Sequence, residues 1–229
     1  MMRASLIPVL ICLAALSAGC DSNTIFSDNF NADTVGIPPN LDPPGNPVGD
    51  QIYLPAASEG TYPSPAIVVN ATGFSSNALR YSNNDIPYIW RYLGFLSADA
   101  DPTTTDYLAS WNGRLSLVSN SSALDVWFGD SHFGEIASIR FDGGHVYLKT
   151  AISPPAYEDL GTVTYNANHT VWFNIDKENA TYSFSLFQDS GDNRESGRRS
   201  VLNRDSLDTQ NPTVYFWFSE EGVSSSGTY

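Results

Sequence analysis

From residue 51 onward the chain is written in short runs rich in Val, Ile, Tyr, Phe and Thr, separated by Gly, Asn, Asp and Ser. Such runs lie at 66–70, 78–82, 114–118, 123–128, 163–165 and 213–218. No long stretch carries a helical repeat of apolar positions. Short β-prone runs with frequent turn residues predict an all-β protein of about a dozen strands, folded as a sandwich or barrel. Upstream, Thr-Ile-Phe-Ser-Asp-Asn-Phe at 24–30 reads as a first strand. Residues 31–50 hold Pro38, Pro39, Pro43, Pro44 and Pro47 and read as extended loop. No repeat of fixed period and no internal boundary interrupts this pattern, so 24–229 is expected to be a single domain.

Two hairpins can be phased, because a slip of one residue exchanges the two faces of a strand. At 135–150 a tight turn in Asp142-Gly143-Gly144 sets Ile139 and Phe141 against the Val146 and Leu148 side. Ser138, Arg140, His145 and Tyr147 then share the opposite face. At 170–186 a turn at Lys177-Glu178 pairs Ile175 with Ala180, Phe173 with Tyr182 and Val171 with Phe184. Its other face carries Trp172, Asn174, Thr181 and Ser183. Each hairpin thus has one apolar and one mixed face, as expected for antiparallel sheets packed on one side.

The first twenty residues follow a different rule. Arg3 makes the start basic, 6–16 is apolar apart from Pro8, and Ser17-Ala18-Gly19 leads to Cys20. This is the form of an export signal, and the apolar run is shorter than the roughly 20 residues that cross a bilayer. The ending Leu16-Ser17-Ala18-Gly19-Cys20 resembles a lipobox, the motif of bacterial lipoprotein signals. That resemblance implies removal of 1–19, diacylglycerol on the Cys20 sulfur, and a short tether through Asn23. The domain would then hang from the membrane of a bacterial cell envelope by its lipid, in the periplasm or outside the cell. Asp21 follows the cysteine and leaves the membrane face open.

Cys12 and Cys20 are the only cysteines, so the mature domain has none for a disulfide and is expected to be held by its core. The net charge is −14 and becomes one unit more negative when Arg3 leaves. That charge argues against a nucleic-acid partner. It does not name a partner or an oligomeric state.

The stretch Gly161-Thr-Val-Thr-Tyr165, His169-Thr-Val-Trp-Phe-Asn-Ile-Asp176 and Ala180-Thr-Tyr-Ser-Phe-Ser-Leu186 is similar to a pattern of concanavalin A-like (laminin-G-like) sandwiches. There an aromatic strand ends in aspartate, turns and returns. Phe26-Ser27-Asp28-Asn29-Phe30 also resembles the opening strand of such domains. The resemblance implies a two-sheet antiparallel jelly-roll sandwich, often with a glycan on the concave face and sometimes a structural calcium. In this family the terminal strands commonly lie side by side. Residues 227–229 are therefore expected either to sit as a stub beside 24–30 or to begin a final strand of roughly six residues that is missing.

The chemistry legible in the chain favours binding over catalysis. The Glu-x-Asp-x-x-Glu strand of family-16 glucanases is absent, as are the Arg-x-Glu-x-Arg and Gln-x-His strands of related lyases. His132, His145 and His169 are scattered, and no Gly-x-Ser-x-Gly elbow occurs. No catalytic residue is assigned. Trp127, Trp172 and Trp217 each fall one residue out of phase with the aliphatic set of their strand, so they are expected to point away from the core. With Asn174 and Arg140 they form the candidate ligand-binding set, since flat aromatic faces beside amides and hydroxyls suit sugar rings.

Arg194, Arg198, Arg199 and Arg204 are interleaved with Asp192, Glu195, Asp205 and Asp208 and read as a self-neutralising loop. Oxygen ligands near 28–33 or 83–85 make calcium a candidate, without an EF-hand loop. The expected function is a lipid-anchored, non-catalytic glycan-binding sandwich. The rivals are a structural or assembly lipoprotein with a protein partner and a polysaccharide-degrading enzyme with an unfamiliar site.

Overall fold

The computed structural model describes residues 30–31, 33–37, 51–53, 66–70, 74, 77–81, 92–96, 101, 103–117, 123–209, 211–219 and 227–228. The export signal, Cys20, all of the 24–30 strand except Phe30, and the 83–85 segment lie outside them. Phe30 itself sits in a bend with φ 56°.

In chain order the strands are β1 (Gln51–Tyr53), β2 (Ala66–Val69), β3 (Ala78–Tyr81), β4 (Tyr92–Leu96), β5 (Asp106–Arg114), β6 (Ser116–Leu117), β7 (Ala123–Gly129) and β8 (Glu135–Asp142). They continue with β9 (His145–Ala151), β10 (Ala156–Thr162), β11 (Asn168–Asp176), β12 (Thr181–Gln188), β13 (Arg194–Glu195), β14 (Arg199–Ser200), β15 (Thr213–Ser219) and β16 (Gly227–Thr228). One 3-10 turn, Asp205–Asp208, precedes β15. Seven strands form one antiparallel sheet in the order β1-β4-β15-β7-β8-β9-β10. A smaller sheet runs β13-β12-β11-β5, with β14 also on β12. The chain crosses between the two sheets, giving a jelly-roll sandwich, one of the two architectures that the alternation allows and the one that the resemblance implies.

The core is the meeting of one face from each sheet. Leu124, Val126 and Phe128 of β7 lie beside Ile139 and Phe141 of β8 and Val146 and Leu148 of β9. Opposite them stand Val171, Phe173 and Ile175 of β11 with Tyr182, Phe184 and Leu186 of β12. Aromatic edges join the layers: Tyr107 lies 5.7 Å from Phe128 and Trp111 lies 5.3 Å from Phe216, ring centre to ring centre.

The β8–β9 hairpin has the expected register, with Ile139 opposite Leu148, Phe141 opposite Val146 and Asp142 opposite His145. Gly143 and Gly144 form its two-residue loop at φ 55° and 84°, the left-handed pair that a twisted hairpin demands. The β11–β12 hairpin departs from expectation. Ile175 faces Tyr182, Phe173 faces Phe184 and Val171 faces Leu186. The loop is four residues, Lys177 to Ala180, rather than two. Asp176 fixes it by accepting hydrogen bonds from the Asn179 backbone N–H (2.9 Å) and side-chain amide (2.8 Å), and Ala180 takes φ 50°. A shift of two residues keeps every side chain on its predicted face.

Two other expectations are corrected. The 114–118 run is split: Arg114 ends β5, buried Leu115 turns the chain, and β6 follows. The 163–165 run is not a strand, because Val163 leaves β10 to enter the core and its N–H bonds the Gly144 carbonyl at 2.7 Å. Gly227–Thr228 pairs with β6, and residues 24–29, beside which a terminal stub is expected, lie outside the described residues.

Candidate functional site

The five predicted ligand residues divide between the outer faces of the two sheets, on opposite sides of the sandwich. Trp127, Trp217 and Arg140 lie on the larger sheet. Trp172 and Asn174 lie on the smaller one. The fold therefore brings together each group within itself but does not bring the two groups into one groove.

On the larger sheet Trp127 points away from the core, as its phase predicts, yet it is only 9% exposed. Its ring stacks on Tyr215 at 5.1 Å and 27°, and Trp217 meets it edge-on at 5.9 Å. Strand neighbours thus cover it. Arg140 is also engaged: its guanidinium grips Asp125 across β7 and β8 through two hydrogen bonds of 2.8 and 2.9 Å. The Tyr157 ring lies over the same guanidinium at 5.0 Å. A bidentate pair so little exposed orders the centre of this face, and its positive charge is already neutralised. At the margin of the face, His145 Nδ1 lies 2.9 Å from Asp159. Hydrogen bonds from His145 and from the Gly161 N–H hold the Asp159 carboxyl below its ordinary pKa.

The smaller sheet presents the open face. Strand register places three cross-strand rows on it. Leu108, Asn174 and Ser183 form one row; Ser110, Trp172 and Ser185 form the next; Asn112, Thr170 and Phe187 form the third. Trp172 is 41% exposed and Leu108 64%. Phe187 is half-buried and meets Trp172 edge-on at 5.7 Å. Thr170 donates to the Asn112 side-chain oxygen at 2.6 Å. Among the described residues the side chains of Ser110, Asn174, Ser183 and Ser185 form no hydrogen bond within the protein. None of the nine side chains is titratable in the physiological range.

Charge stands only at the margins of this face. Asp106 and Asp176 lie at one end, where Asp176 accepts from Arg198 at 3.2 Å. Arg114 lies at the other, bound to the Asn168 side-chain oxygen at 3.0 and 2.7 Å. Glu195 flanks Ser185.

Sequence reasoning found Trp172 and Asn174 but missed Leu108, Ser110 and Phe187. The signal was present in 106–114, where Tyr107, Ala109, Trp111 and Gly113 alternate with Asp106, Leu108, Ser110 and Asn112. Once Trp111 is assigned to the core, Leu108 must face out.

Three of the four clustered arginines are ion-paired, only one of them with an acid interleaved in the cluster. Arg194 lies near Asp192 at 3.7 Å, whereas Arg199 pairs with Glu158 at 2.8 Å and Arg198 with Asp176. Pairing of β14 with β12, beside β11, brings Asp176 alongside, whereas Glu158 reaches Arg199 from β10 of the larger sheet. An open polar cleft of about 330 Å³ lies between the 130–134 loop and the 3-10 turn. Burial works to raise the Asp130 pKa, but hydrogen bonds from Gly134, Ser206 and His132 outweigh it and hold the carboxyl low. That carboxylate fastens its own loop. Among the described residues no group of three or more His, Cys, Asp or Glu is arranged to hold a metal ion. Of the two calcium candidates, 83–85 and residues 28, 29 and 32 of 28–33 lie outside those residues.

No protein-family model matches the sequence, and no curated protein matches it significantly. Solved structures resemble it in sandwich architecture. Lectin II from Ulex europaeus is 8% identical, with a TM-score of 0.47 over 71% of this chain and 89% of the lectin. An alginate lyase of polysaccharide lyase family 7 is 12% identical, with a TM-score of 0.38 over 72% of this chain and 74% of the lyase. A sialidase is 11% identical, with a TM-score of 0.46 over 69% of this chain but 14% of the sialidase. Likeness at this level carries over no residue and no activity.

Proposed function

We propose that this chain is a lipid-anchored, non-catalytic glycan-binding protein of a bacterial cell envelope, and that the outer face of the smaller sheet is its binding surface. The observation that carries the reading is Trp172, a large aromatic left 41% exposed at the centre of an uncharged sheet face. Its neighbours in both directions across the sheet are serines, Ser110 and Ser185. An indole face takes the apolar side of a sugar ring, while hydroxyl and amide groups around it bond the ring's hydroxyls. The same nine residues offer no carboxylate to act as acid, base or nucleophile on a glycosidic bond. That chemistry supports a reading of binding without turnover.

The larger sheet suits this role less well. Trp127 is covered, and Arg140 is committed to Asp125. Those residues, with Trp217, are better accounted for as the packing and charge pairing of that face.

A glycan-array screen of the purified full chain, run beside Trp172→Ala, tests the reading. Binding that depends on Trp172 supports it; an array with no Trp172-dependent signal overturns it. One observation favours a second reading, a protein partner: Leu108 is 64% exposed beside Trp172 and Phe187. Loss of a co-purifying envelope protein in Leu108→Ser, with glycan binding absent, would favour that alternative.

Anchoring is tested separately. Cys20→Ser is expected to abolish incorporation of labelled lipid and to release the protein from the membrane fraction. Labelling that persists in this variant contradicts the anchor.

A further inference from the structure

The open face is more than an aromatic platform: its arrangement also selects a class of glycan, a selection that rests on the glycan-binding reading. Leu108, Trp172 and Phe187 occupy successive rows on successive strands, β5, β11 and β12. They therefore form one diagonal apolar stripe across the sheet. The Trp172 and Phe187 rings lie 5.7 Å apart, centre to centre, and Leu108 stands diagonally across from Trp172, where neighbours are roughly 7–8 Å apart, so the three together outspan a single sugar ring. A monosaccharide would cover Trp172 and leave both ends of the stripe wet. On one side of the stripe lie Asn174, Ser183 and Ser185, and on the other Ser110, Asn112 and Thr170. Both flanks are thus neutral hydrogen-bonding groups.

The absence of charge is itself informative. The chain carries 25 acidic and 11 basic residues, yet none falls among these nine positions. A surface built for a uronate or another anionic sugar needs a cation beside the aromatic ring, and the nearest guanidinium along β5, that of Arg114, is held by Asn168. Together with the acidic groups at the margins, this disfavours a polyanion.

We propose that the face binds an internal segment of a neutral, linear polysaccharide, laid along the Leu108–Trp172–Phe187 diagonal with its hydroxyls turned to the polar flanks. The ends of the glycan need no recognition, because the stripe runs open across the sheet rather than into a closed pocket. Without charged contacts, affinity is independent of ionic strength.

The test is a titration of the purified full chain with a neutral β-glucan oligosaccharide series of increasing length, and with polygalacturonate as the anionic probe. Affinity is expected to climb with chain length until the stripe is covered and to change less than about twofold across ionic strength. Leu108→Ser, at an exposed position, is expected to weaken the longest oligosaccharide by about tenfold, one step of 1.4 kcal/mol, and to leave the shortest unaffected. Two outcomes overturn the proposal while leaving the glycan site intact: Trp172-dependent binding that is as tight for the shortest member as for the longest, and tighter, salt-sensitive binding of polygalacturonate. Binding of any of these glycans that is indifferent to Trp172→Ala removes the site itself.

Discussion

Single residues divide sharply between those that hold the fold and those that meet solvent. Arg140 illustrates the first kind. It is a ligand candidate by sequence because it shares a polar face with Ser138 and Tyr147, but its guanidinium and the Asp125 carboxylate are 17% and 10% exposed and bonded to each other. Removing one partner of such a pair strands the other charge away from water. Arg140→Ala is therefore expected to cost about 3 kcal/mol in urea unfolding. Arg198, whose side chain is 74% exposed, should change stability by less than about 0.5 kcal/mol when truncated. Equal effects of the two variants would mean that the Asp125–Arg140 pair is not a structural link.

At the scale of elements, the turns determine how far register can be read. Gly143 has φ 55° and nothing within 4 Å of the position a Cβ would take, so its requirement is purely conformational. Gly143→Ala should destabilise the hairpin by about 1 kcal/mol, whereas Gly143→Asn should cost clearly less, because Asn tolerates this backbone region. Thermal unfolding of the two variants checks this; an Asn variant as unstable as the Ala variant contradicts it.

The same contrast accounts for what was legible in the sequence. The Gly-Gly loop constrains β8 and β9 to a single register, and that register is found. In 176–181 the loop is built by the Asp176 carboxylate bonding Asn179, a tertiary detail that apolar alternation does not encode, so the pairing is offset by two residues while the faces remain correct. β10 was missed because it is an exposed edge strand with two register shifts and left-handed Gly161 at φ 116°. Its sequence, Ala-Tyr-Glu-Asp-Leu-Gly-Thr, shows no apolar face. The candidate site was half legible: phase alone turns Trp172 and Trp127 outward, but only the packing of Tyr215 and Trp217 shows that Trp127 is covered.

For the molecule as a whole, stability rests on the inter-sheet core without a disulfide among the described residues. That core contains one titratable group with a marked consequence. His169 is 3% exposed, with its ring 6.1 Å from that of Phe141. Burial, opposed by the Ala167 carbonyl and the Asp189 charge, pushes its pKa from 6.5 down to about 4. Between those values the unfolded chain binds a proton that the folded chain refuses. The contribution is thus fully present above pH 6.5 and is lost as pH falls towards about 4, amounting to at most about 3 kcal/mol. Urea unfolding at stepped pH should show this decline in the native chain and a shallower one in His169→Gln. Identical slopes would assign the acid sensitivity elsewhere.

The central claim concerns the opposite kind of surface, the uncharged face around Trp172. It predicts that ligand binding and stability separate at this position. The most direct measurement is the dissociation constant of the native chain and of Trp172→Ala for a bound neutral glycan, with the melting temperature of both taken under the same conditions. The account predicts at least about a tenfold loss of affinity with a stability change below about 1 kcal/mol. Unchanged affinity, or a loss of stability near the ~3–5 kcal/mol of a buried aromatic truncation, would contradict it.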